Sequence, residues 1–120
     1  MAVRFFTKSP AALLKAFDEK IDQKEREGSI TTWVRDSKGF YTHTSRWGRK
    51  AYFKANPRFE DRLVFNVVPP AGSVVEPEVY AFYHGHLVET FINHFAGKFS
   101  TACAGGKPTE QDKLVSKTAT

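Results

Sequence analysis

The side chains richest in chemistry crowd into one stretch, Tyr83-His84-Gly85-His86, with Glu89, Asn93 and His94 following. An imidazole near its ordinary pKa can move a proton or bind a metal at neutral pH. Spacing decides how many of these rings can act together. At about 100° per residue, His84 falls inside an apolar arc of Tyr80, Tyr83, Leu87, Val88, Phe91, Ile92, Phe95 and Phe99. His86 falls on the opposite side with Glu89, Thr90 and Asn93, and His94 lies at the boundary. No HExxH spacing occurs, and two ligands without a third do not define a metal site. No metal or other cofactor is expected.

His84 faces whatever the apolar arc packs against, and a buried ring nitrogen left unpaired is costly. Tyr41, His43, Tyr52 and Asn66 are strand residues that could join it in a polar pocket beneath the second helix. That pocket would suit a small-molecule binder or an enzyme. It competes with a plain core histidine satisfied by a tyrosine or a carbonyl. No Ser-His-Asp or Cys-His pattern is readable, and the single Cys103 sits in a segment of small polar residues. No catalytic residue is assigned, and the reading leans away from an enzyme.

A second constellation is basic and aromatic. Residues 35–62 hold Arg35, Lys38, Arg46, Arg49, Lys50, Lys54, Arg58 and Arg62 against only Asp36, Glu60 and Asp61, which accounts for the chain's net charge of +5. Trp33, Arg35, Tyr41 and His43 share one side of a hairpin. Tyr52 and Lys54 share a side of the next strand, and Arg46, Trp47 and Arg49 occupy the loop between. Aromatics interleaved with cations can bind an anionic or protein partner. A nucleic acid is the weaker version, because no RNP-type, GXXG or helix-turn-helix pattern accompanies the patch. The competing assignment places Trp33 and Tyr41 in the core, with Val34 and Thr42 outside. A shift of one residue in register exchanges the two faces.

The elements that must position these groups are well punctuated. Ser9-Pro10 starts a helix whose stripe is Leu13, Leu14, Phe17 and Ile21, and Gly28 suits its stop. Residues 30–35 and 40–44 read as a hairpin closed by Gly39, with Arg35 opposite Tyr41 and Trp33 opposite His43. Strands follow at 51–55 and 62–68, then a second helix from about Pro77 to Phe99. Residues 101–120 lack the apolar side chains that offset ordering entropy and are expected to be a disordered tail.

The expected fold is α+β: a two-layer sandwich in the order α-β-β-β-β-α, with a four-stranded antiparallel sheet and both helices on one face. Residues 1–100 form one domain. One cysteine and no long apolar run point to a cytoplasmic protein without a membrane span. A homodimer through the small residues Ala81, Gly85 and Ala96 is the remaining partner reading.

Overall fold

The computed structural model describes residues 3–106. Its elements are β1 (Val3–Phe6), α1 (Pro10–Asp22), β2 (Trp33–Arg35), β3 (Tyr41–His43), β4 (Tyr52–Asn56), β5 (Arg62–Val68), α2 (Pro77–Phe95) and β6 (Thr101–Ala104), with a short 3-10 turn over Ala96–Lys98. The strands form one antiparallel sheet in the order β2-β3-β4-β5-β1-β6. The class is α+β with two helices, and the sheet has six strands where four were expected.

The two additional strands are the first and last elements described. β1 lies between β5 and β6, with Phe5 opposite Leu63 on one side and Ala102 on the other. Residues 101–104, expected to begin a disordered tail, are instead the edge strand β6. Ser100 N–H starts the pairing by donating to the Phe6 carbonyl at 2.8 Å. The rest of the expected tail, from residue 107, lies outside the described residues.

Alternation along the strands separates the faces. Val3, Phe5, Phe53, Leu63, Phe65 and Val67 point inward and are buried. Both helices cover this face. Phe17 of α1 and Phe91 of α2 each meet Phe65 edge-on, and Phe91 stacks on Phe5 with ring centroids 4.0 Å apart. These are four of the chain's eleven phenylalanines, and each removes a large area from water. The hairpin takes the expected register, with Arg35 opposite Tyr41 and Trp33 opposite His43. Gly39 closes it at φ 86°, where a side chain would be strained.

α1 stops at Asp22, well before Gly28. Gln23 is extended there, and its amide donates to the carbonyls of Glu25 and Glu27 at 3.0 and 2.8 Å. These bonds fold the following loop back, and Ile30 N–H reaches the Lys20 carbonyl at 3.0 Å. Among the described residues no helix is long and apolar enough to cross a membrane.

Candidate anion-binding face and histidine cluster

The face of the sheet turned away from the helices is basic. Its outward positions include Arg4 on β1, Tyr52, Lys54 and Asn56 on β4, and Arg62, Asn66 and Val68 on β5. None of the outward strand residues is acidic. Lys54 stands opposite Asn66, and Tyr52 opposite Val68. A cleft of about 490 Å³ opens beside this pair, lined by Phe40, Lys54, Asn56, Pro57, Arg58, Asn66 and Val68 among others. Asn56 Oδ1 accepts the Arg58 N–H at 3.0 Å, which fixes the turn and leaves the Asn56 amide NH₂ as a donor. The charged groups of the lining are both cations, and Asn56 brings an amide donor. Arg62 is neutralised locally by Asp61 at 2.7 Å and lies over the Phe59 ring.

The hairpin residues of the expected patch sit on the other face. Trp33, Tyr41 and His43 are buried, with 1%, 2% and 5% exposure, so they offer no platform. Arg35 is tied to Asp18 at 2.8 Å and Asp22 at 2.7 Å on α1. The Asp22 hydrogen bond above all holds its guanidinium charged. Tyr41 hydrogen-bonds to Asp18, and burial, then Asp18, pushes its phenol pKa upward. Val34 is exposed, as the competing face assignment requires. Thr42 is buried instead, because its hydroxyl donates to the Ala51 carbonyl at 2.9 Å and meets the Tyr83 hydroxyl at 3.1 Å.

The pocket set does not converge either. Tyr52 and Asn66 lie on the outer face, and Tyr41 is engaged with α1. His84 is buried, stacked on Tyr80 at 3.9 Å, and its Nδ1–H donates to the Tyr80 carbonyl at 2.6 Å. It lines an apolar cleft of about 480 Å³ with Val75, Tyr80, Ala81 and Gly85. That cleft contains none of the strand residues expected to share it. Part of the small-residue strip therefore lines a groove beside β6.

A different pair of histidines comes together. His43 Nε2 lies 2.8 Å from His86 Nδ1, and His43 Nδ1 lies 2.7 Å from Ser45 Oγ. Ser45 N–H also points at His43 Nδ1, 3.1 Å away, so Nδ1 is the acceptor and the proton sits on Nε2. Around them Trp47, Phe82 and His86 form a column of near-parallel rings, with interplanar angles of 14° and 15°. Arg46 and Lys50 stand over the Trp47 ring at 5.6 and 5.5 Å. Burial, then the neighbouring His86, lowers the His43 pKa to about 4.

The helical wheel missed His86 because it treats one arc as the only buried one. α2 overhangs the β2–β3 edge, so its polar flank is covered as well: Thr90 is buried and accepts the Trp33 indole N–H at 2.9 Å. The available signal was Thr90 and His86 one turn apart, a polar pair able to meet a tryptophan. His94 is half-buried, and Cys103 is exposed on β6 opposite Arg4. Among the described residues no cluster of His, Cys, Asp and Glu could hold a metal ion. Protein-family models, curated proteins and solved structures give no match to this chain.

Proposed function

We propose that this chain is a binding module that engages an anionic partner through the outer face of its sheet. One observation carries the reading: the cleft beside Lys54 and Asn66 offers two cations and the Asn56 amide donor with no carboxylate in its lining. An anion entering such a site gains charge-assisted hydrogen bonds without meeting a like charge. Of the partner-binding residues expected from sequence, Lys54 lines this cleft and Tyr52 shares its face of the sheet, and Asn56, Arg58 and Asn66 join them. Nothing in this cleft pairs a nucleophile with a base, so the reading there is of binding alone.

The test is fluorescence anisotropy with two labelled probes, a single-stranded oligonucleotide and a poly-glutamate peptide. Binding of one or both is expected to weaken steeply as salt rises. Changing Lys54 and Arg58 together to Ala should cost about tenfold or more in affinity, as the loss of charged hydrogen bonds implies. Lys15→Ala, on the exposed side of α1, should change nothing. Binding that ignores salt, or survives the double change, would defeat the reading.

A further inference from the structure

We propose that Ser45, His43 and His86 form a second, reactive site in which Ser45 Oγ is acylated by small anionic esters. The three side chains join end to end, with 2.7 Å between Ser45 Oγ and His43 Nδ1 and 2.8 Å between His43 Nε2 and His86 Nδ1. That is a nucleophile, a base and a group that orients the base. The direction of the chain is fixed by the Ser45 N–H at 3.1 Å, which makes Nδ1 the lone pair that receives the hydroxyl proton. Trp47 N–H donates to Ser45 Oγ at 3.1 Å and holds the side chain so that its hydroxyl hydrogen points to His43. Ser45 is exposed while His43 is buried, so a reagent meets the hydroxyl and the base stays sheltered.

The loop around Ser45 selects the charge of the substrate. Arg46, Arg49 and Lys50 are exposed there, and no acidic residue occurs between Asp36 and Glu60. Loop closure is also specific. Gly48 N–H donates to the Ser45 carbonyl at 2.8 Å, and a Cβ at Gly48 would lie 2.4 Å from the His43 carbonyl oxygen. Only glycine lets the turn come down on β3.

In the acylation step an Oγ–C bond forms as the hydroxyl proton passes to His43 Nδ1. The ester C–O bond then breaks, and His43 returns the proton to the leaving oxygen. Water repeats the sequence on the acyl-serine, releasing the carboxylate and restoring Ser45. His86 is a positioning residue: its Nδ1 accepts the His43 Nε2–H and holds the ring with Nδ1 turned to Ser45. This site is separate from the outer cleft, since none of Ser45, His43 and His86 lines that cleft.

The experiment is labelling of the whole chain with a fluorophosphonate, in which Oγ attack forms an O–P bond and expels fluoride. Peptide mapping should find the adduct on Ser45, and Ser45→Ala should abolish it. His43→Gln keeps a donor toward His86 but lacks the Nδ1 base, and should slow labelling by about a hundredfold. His86→Leu should slow it too, and His86→Asn, which retains an acceptor near the Nδ1 position, should restore it; melting curves establish that each variant is folded. No adduct on folded wild-type protein, an adduct on another residue, or an unchanged rate in His43→Gln would overturn the proposal. Loss of anion binding in Lys54→Ala/Arg58→Ala bears only on the outer cleft, so the two readings fail separately.

Discussion

His43 ties a strand to a helix through one ring, and its protonation is set by that position. Its pKa is lowered to about 4, by burial first and by His86 second. In the unfolded chain the same ring titrates near the ordinary value of about 6.5. Between these values the unfolded state binds more protons, so the contribution of His43 to stability is complete above about pH 6.5 and is lost as pH falls toward 4. His94, lowered by burial and then by Lys20, works in the same direction. The melting temperature should therefore fall through this window, and His43→Gln, without the titrating group, should fall less steeply. Thermal melts by circular dichroism at matched ionic strength check this. Parallel curves for the two proteins would count against it.

At the scale of elements, β6 shows how a strand can form without a local signal. Ala102 points inward and packs against the core, whereas Thr101 on the same strand is exposed. Ala102→Asp should destabilise by about 1–3 kcal/mol through a carboxylate set against apolar neighbours. Thr101→Asp should stay within about 0.5 kcal/mol of wild type. Urea denaturation measures both, and equal effects would mean that β6 is not held as described. The same strand marks the limit of sequence reading. Leu13 and Phe17 show their helix by spacing, and Gly39 sets the hairpin register, because those signals lie within a few residues. Thr101-Ala102-Cys103-Ala104 is small and weakly patterned, and β1 is only four residues long. Each acquires its conformation from a partner distant in sequence, which no window can contain. The candidate site was legible to a similar extent. Lys54 and Asn66 showed their types, but their pairing across β4 and β5 needed the register. His86 was concealed by an overhang of α2 that depends on the width of the whole sheet.

For the whole molecule, the two layers differ in electrical character. α1 carries acidic and basic side chains together, and Asp18 and Asp22 draw in Arg35. The opposite face has Arg4 and Lys54 with no acid among its strand residues. Such self-repulsion is relieved by screening, and more strongly by an anion that binds the folded state. Phosphate should raise the melting temperature by about 2 °C or more beyond chloride at equal ionic strength, the size a fraction of a kcal/mol gives at this chain length. The Lys54→Ala/Arg58→Ala variant should lose that increment, and differential scanning fluorimetry reads both. An increment of the same size in the variant would place the anion elsewhere.

The place of β1 inside the sheet carries a consequence for how the chain is made. Val3 and Phe5 leave the ribosome well before their pairing partners, which are Phe65 and Leu63, then Ala104 and Ala102. Until β5 emerges, β1 is an apolar strand with both edges unsatisfied. The last edge closes only when β6 has been synthesised. Such long-range pairing slows folding and leaves sticky intermediates open to other chains. During synthesis β1 therefore depends on being shielded, and β6 acts as the latch that ends this exposure.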